Sequence, residues 1–378
     1  MQCIATAEQK LLRESVQQFV QKQYVGNFRR SSIDDCRESF RLNWPDYARL
    51  GWLAAGLPES AGGFGGSAFE TAIIAEELGR GLAPEPFVTA AVYTAQFILG
   101  LSDWTKGKVL LAKMVSGESL LVLAHEEAQA RGDATFIGTK ARSNSRGGYT
   151  LTGSKTAVIG GVNADFFLVT ARLESGNGND ECLGLFLIPS CQLELQCQHT
   201  MTFDGRAVSS LIFNELRLES DALVCRSAMI TAAIQRATDH ALIAYSAEAL
   251  GAMQASLDMT RDYLLTREQY GEALSEFQVL RHRLADMFIA SEKARSMVLT
   301  GIHATRESDE EHRTKIASAT KALVSQSGEF VTALGIQLHG GIGMADECSV
   351  GHYYKRLNVY ELLLGSATYH LNNFRELS

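Results

Sequence analysis

From residue 225 to residue 378 the sequence contains no proline and repeats its apolar side chains at three- and four-residue steps. Proline lacks the helical amide donor and clashes with the preceding turn, so such a run is where long helices can form. Leu242, Tyr245, Ala249, Met253 and Leu257 mark one stripe, and Phe277, Leu280, Leu284 and Met287 mark another. The charged segment Arg306 to Arg313 reads as a solvated connection between two helices. Residues 223–378 are therefore expected to form a C-terminal four-helix bundle.

The period changes upstream. Leu120 to Ala124, Phe166 to Val169, Leu185 to Ile188 and Leu211 to Phe213 are short branched or aromatic runs. Turn signals at 146–148, 176–179 and 204–205 separate them. Residues 120–222 thus predict a central antiparallel β-barrel domain. Residues 1–119 read as an N-terminal helical domain, opening on Leu11, Leu12, Val16, Phe19 and Val20 at helical spacing. A second apolar face runs through Ile74, Ala75, Leu78 and Leu82. The glycine-rich loop 57–66 before it follows no strand and so is not a nucleotide fingerprint. The fold class is α+β.

A chain of 378 residues suggests two or three packed domains. Its net charge of −8 argues against nucleic acid, which needs a basic footprint. No run is apolar enough to span a bilayer and no secretory pattern opens the chain, so a cytoplasmic location is expected. The seven cysteines include no Cys-x-x-Cys and read as reduced structural thiols. The nine histidines lack metal-ligand spacing, so no metal is expected, and His339 reads as a packing residue.

Two segments carry chemistry. Thr266-Arg267-Glu268-Gln269-Tyr270-Gly271, followed by Phe277-Gln278, puts a permanent cation and a ring at a helix foot, with an amide at the next helix start. Gln337-Leu338-His339-Gly340-Gly341-Ile342-Gly343 is a glycine turn where backbone can approach a ligand. Together they resemble the flavin-diphosphate arm of the acyl-CoA dehydrogenase family, an arm that serves the FAD of a neighbouring subunit. The resemblance covers nearly the whole chain. It implies FAD as cofactor, an acyl-CoA thioester as substrate and an electron-transfer protein as acceptor. It places Arg267, Tyr270, Gln278, Gln337, Gly340, Gly341 and Ser366 on the family's FAD contacts.

Elsewhere the chain departs from that pattern. The family's Thr-Glu-Pro-x-x-Gly-Ser-Asp flavin cradle reads Glu126-Glu127-Ala128-Gln129-Ala130-Arg131-Gly132-Asp133. Glu126 replaces the flavin-contacting threonine, and Gly132 a serine used toward CoA. Ala157 replaces the tryptophan that shields the flavin, and Ile159 the threonine that bonds it. At the turn where the family keeps its catalytic carboxylate this chain has Leu364, and at the minority position on the first bundle helix it has Ala241. Glu248, two helical turns beyond Ala241, is the candidate catalytic base, with a structural role as the simpler alternative. Glu361 is a weaker candidate of the same kind.

The segments Leu123 to Glu127, Gln337 to Met344 and Val350 to Leu357 further resemble the small subunit of pimeloyl-CoA dehydrogenase. That resemblance implies a hetero-tetramer with a large subunit that supplies cradle and base. A homotetramer using Glu248, or a scaffold without redox activity, are the alternatives. Arg131 could meet a substrate ω-carboxylate, although a solvated loop arginine is the plainer reading.

Overall fold

The computed structural model describes residues 6–24, 32–101, 104–144, 147–174, 182–193 and 196–377. Cys3, the expected turn at 176–179 and Arg146 of the turn at 146–148 lie outside the described residues. Contacts divide the chain into two compact units. One comprises Met1–Arg29, Ala68–Ala83 and Leu242–Ser378; the other comprises Arg30–Ser67 and Pro84–Ala241.

The first unit begins with α1 (Ala7–Gln23), opened by a capping box in which Thr6 and Gln9 exchange side-chain and backbone hydrogen bonds. It buries Val16 and Val20 and packs against α3 (Ala68–Arg80). Arg13 reaches both Glu76 and Glu77 on α3, and Arg295 meets Glu76 at 3.0 Å. Where four helices were expected the bundle region has five: α6 (Ile230–Thr266), α7 (Gln278–Ala304), α8 (Glu310–His339), α9 (Val350–Leu362) and the short α10 (Ala367–Glu376). The connection between α7 and α8 is shorter than the expected Arg306 to Arg313: Glu310 to Arg313 form the first turn of α8, where Arg313 is buried. Helices α3 and α6 cross backbone to backbone. A Cβ added at Gly79 would lie 2.0 Å from the Glu248 carbonyl oxygen, and one at Gly251 1.8 Å from that of Glu76. Only glycine permits that approach.

The second unit holds α2 (Ile33–Arg49), α4 (Ala95–Gly100), α5 (Thr105–Val115), the start of α6 and the sheet. Trp44, Tyr47 and Trp52 are buried together. Its strands are β1 (Leu121–Ala124), β2 (Lys140–Ser143), β3 (Tyr149–Ile159), β4 (Phe166–Glu174), β5 (Cys182–Pro189), β6 (Cys197–Met201), β7 (Ala207–Leu218) and β8 (Leu223–Arg226). They form one eight-stranded sheet in the order β6-β7-β3-β2-β4-β5-β8, with β1 also on β4.

The expected antiparallel barrel is corrected here. The ladders β1–β4 and β2–β4 are parallel, and the sheet is mixed and open. Two four-residue strands share one edge of β4, β1 along Phe166 to Val169 and β2 along Arg172 to Glu174. The end strands β6 and β8 have no ladder between them, and a barrel requires that closure.

Candidate functional site

The C-terminal ends of α6 and α8 meet. Tyr263, near the end of α6, stacks on His339, the last residue of α8, with ring centroids 4.5 Å apart and planes 21° apart. His339 is buried, and its Nδ1 lies 2.8 Å from the Gly335 carbonyl. It is a packing residue, and its work is to bring the two motif segments to one end of the bundle.

After α6 the chain makes a small hairpin from β9 (Glu268–Gln269) and β10 (Glu272–Ala273). The Leu274 amide donates to the Arg267 carbonyl at 2.8 Å. Tyr270 takes φ +59° and Gly271 φ +85° at its tip. The Tyr270 side chain is 93% exposed and meets Phe277 edge-on. Arg267 is exposed, and its guanidinium has no hydrogen bond or ion pair among the described residues. Gln278, also exposed, is the first residue of α7.

Across the stacked pair, Gln337 is exposed on the last turn of α8. A Cβ at Gly340 or Gly341 would meet nothing within 4 Å, so this stretch of backbone is open to a ligand. Gly343 differs: a Cβ there would lie 2.7 Å from the Ile336 carbonyl, so it is a packing glycine.

Leu364 occupies a left-handed conformation, φ +54°, between α9 and α10. Strain of that kind, on the order of 1–3 kcal/mol, persists only where the surroundings impose it. They do so here. His370 Nε2 donates to the Leu364 carbonyl at 2.8 Å, and Glu361 accepts from the Ala367 amide at 2.9 Å. Ser366 caps α10 by accepting from the Tyr369 amide at 3.2 Å. Both Glu361 and Ser366 therefore hold the turn. Beneath it lies Lys321, fully buried, donating to the Tyr360 carbonyl. A lysine inside an apolar helix stripe was its only signature in the sequence.

Glu248 is engaged. Its Oε1 accepts from the buried Arg356 at 3.1 Å, while Arg356 also donates to the carbonyls of Ala83 and Leu82. That arrangement is an ion pair that ties α9 to the end of α3 and to α6.

In the other unit, β1 leads into His125, Glu126 and Glu127. Lys155 on β3 is fully buried and gives all three protons away: to Glu127 at 2.7 Å, to the His125 carbonyl at 3.0 Å and to Thr170 at 3.1 Å. Burial pushes this ammonium down to about 8, with Glu127 opposing the shift. Burial works against the Glu127 anion, but Lys155 and the donors of Thr139 hold its carboxyl below the ordinary range. Burial takes His125 down to about 3, leaving it neutral between Thr170 and the Ala134 carbonyl.

Glu126 has no such partners. Its backbone carbonyl accepts from the Thr156 amide at 2.8 Å, next to a bulge in β3 that sets Ala157 at φ +53°. Its side chain makes no hydrogen bond or ion pair among the described residues, and burial pushes its carboxyl up to about 7. Ile159 is buried nearby on β3. Arg131 is exposed at φ +49°. Among the described residues no helix is long and apolar enough to cross a membrane, and no acidic, histidine or cysteine group is arranged to hold a metal.

The profile described as the acyl-CoA dehydrogenase N-terminal domain matches residues 6–118, and that of the C-terminal domain residues 231–376. The chain is similar to acryloyl-CoA reductase (NADH) of Anaerotignum propionicum, 25% identical over 97% of this chain and 93% of the relative. Among solved structures it is similar to the steroid ACAD Tcur3481–Tcur3483, with TM-score 0.80 and 26% identity over 98% of this chain and 97% of that one. It shares its fold with the ChsE4–ChsE5 complex of Mycobacterium tuberculosis, with TM-score 0.80 and 22% identity over 100% and 98% of the two chains.

Proposed function

Because the chain belongs to the acyl-CoA dehydrogenase family of FAD-dependent oxidoreductases, we propose that it is the partner subunit of a mixed dehydrogenase tetramer. In this reading it lends its arm to a flavin seated on a companion chain that also carries the base. The observation that carries the proposal is that Arg267 and the bare Gly340–Gly341 backbone follow two helix ends held together by the stack of Tyr263 on His339. A planar guanidinium binds a diphosphate bidentately and never deprotonates. Gln278 and Gln337 add amide donors, and Tyr270 adds an exposed ring. Ser366 contributes through the turn that it caps.

The arm therefore fits a dinucleotide. The cradle does not: Glu126 puts a carboxyl where the family has a hydroxyl, Ala157 leaves the ring face uncovered, and Ile159 has no donor. When bound on the companion, FAD supplies the hydride acceptor for α,β-dehydrogenation of an acyl-CoA thioester. What this chain contributes is position and charge at the diphosphate. An electron-transfer protein is the proposed acceptor, as the family resemblance implies.

Two further features favour a mixed assembly. Leu364 and Ala241 stand at both of the family's base positions, and Glu248 is committed to Arg356. The similar proteins Tcur3481–Tcur3483 and ChsE4–ChsE5 are also described by two chain names. The small subunit of pimeloyl-CoA dehydrogenase remains the type proposed, with a dicarboxylic, steroid-side-chain or other medium-chain acyl-CoA as substrate. The test is purification of the chain alone and after co-expression with a large dehydrogenase subunit encoded beside it. Flavin recovered only from the co-expressed assembly, and lost on Arg267→Ala, supports the proposal. Stoichiometric flavin in the isolated chain that bleaches with an acyl-CoA would establish the homotetramer instead.

A further inference from the structure

The disagreement between arm and cradle centres on Glu126. Its main chain is pinned by Thr156, so its backbone cannot shift without breaking the entry into the β3 bulge. The one buried ammonium close enough to act on it, Lys155, has spent its three protons on His125, Glu127 and Thr170. No described side chain bonds the Glu126 carboxyl. Once ionised, above about pH 7, it therefore needs a proton or a positive charge from any group seated against it. A flavin ring becomes an anion when it is reduced, and the Glu126 carboxylate then meets a like charge. Like charges roughly 5 Å apart at an effective dielectric near 20 weaken binding on the order of 10²-fold.

We propose that Glu126 closes this chain's own cradle to flavin, so that the chain lends an arm and seats no cofactor. This rests on the arm reading given above. The mixed tetramer then carries one flavin for every two chains. The remaining changes act in the same direction. Ala157 in its left-handed bulge leaves the ring face uncovered, and Ile159 has no hydroxyl to donate.

The experiment titrates FAD into the full-length chain and follows flavin fluorescence quenching at pH 8. It compares wild type, the triple variant Glu126→Thr/Ala157→Trp/Ile159→Thr, and each of these with Arg267→Ala. Wild type is expected to show no saturable uptake. The repaired variant should take up about one FAD per chain in a homo-assembly, and lose it with Arg267→Ala. Saturation of wild type near one FAD per chain overturns the closed cradle; if Arg267→Ala abolishes that uptake, the arm reading survives. A repaired variant that keeps the wild-type circular dichroism yet binds no FAD also overturns it. Uptake by the repaired variant that ignores Arg267→Ala leaves the cradle proposal standing and removes the arm reading. Should the triple variant not fold, the isosteric Glu126→Gln decides. Its affinity for reduced FAD, titrated without oxygen at pH 8, must exceed wild type by roughly tenfold or more, and no change overturns the proposal.

Discussion

Replacing Lys321 with methionine should change how stability depends on pH. The Lys321 ammonium is fully buried in α8, donates to the Tyr360 carbonyl and lies 3.7 Å from the centroid of the Tyr360 ring. Burial pushes it from the ordinary 10.5 down to about 7, with Glu361 opposing. Between those values the unfolded chain holds the proton and the folded chain does not. Stability therefore rises with pH across that window, and below pH 7 the penalty for the buried charge is fully present. At about 1.4 kcal/mol per unit, the full window is worth about 5 kcal/mol. Methionine fills a similar volume and does not titrate. Urea unfolding at pH 7.5 and 9.5, at constant ionic strength, should show the wild-type-minus-variant difference moving by about 3 kcal/mol in favour of wild type. Lys155 also titrates in this range but is common to both proteins. Parallel pH curves for the two would refute the buried-ammonium argument.

Other substitutions separate scaffold from site. Gly251→Ala forces a Cβ to within 1.8 Å of the Glu76 carbonyl, so soluble yield should collapse or stability fall by about 3 kcal/mol or more, read by thermal melting. Gly341→Ala meets nothing; its melting temperature should match wild type while the flavin content of the co-expressed assembly falls. Arg356→Met removes the buried guanidinium from Glu248 and from two carbonyls, with an expected loss of about 3 kcal/mol in urea unfolding. Glu248→Gln keeps an acceptor for Arg356, and acyl-CoA turnover by the co-expressed assembly should stay within twofold of wild type; a drop of 10²-fold would make Glu248 the base.

Local pattern was the legible part. The period of two located β1, β4, β5 and β7, and the proline-free stripes located the long helices, because both signals are set by neighbours along the chain. Sheet closure was not legible, since it depends on which edges meet. The parallel pairing of β1 and β2 with β4 joins segments that are distant in sequence. At the site, Arg267 and Gly341 could be named from their motifs, but the Tyr263–His339 stack that unites them could not. The buried Glu127–Lys155 ion pair was not legible either, because it exists only once β3 lies against the end of β1. The Glu248–Arg356 pair was missed for the same reason, with 108 residues between the partners.

Arg13 on α1 and Arg295 on α7 clasp the same carboxylate, Glu76. A ribosome adding about 5–20 residues per second needs on the order of half a minute to travel between those two arginines. For that interval the first helix and α3 have emerged without the bundle that will cover them. The nascent protein thus spends most of its synthesis with its opening segment waiting for its ending, and truncation anywhere before α7 should yield an aggregating product.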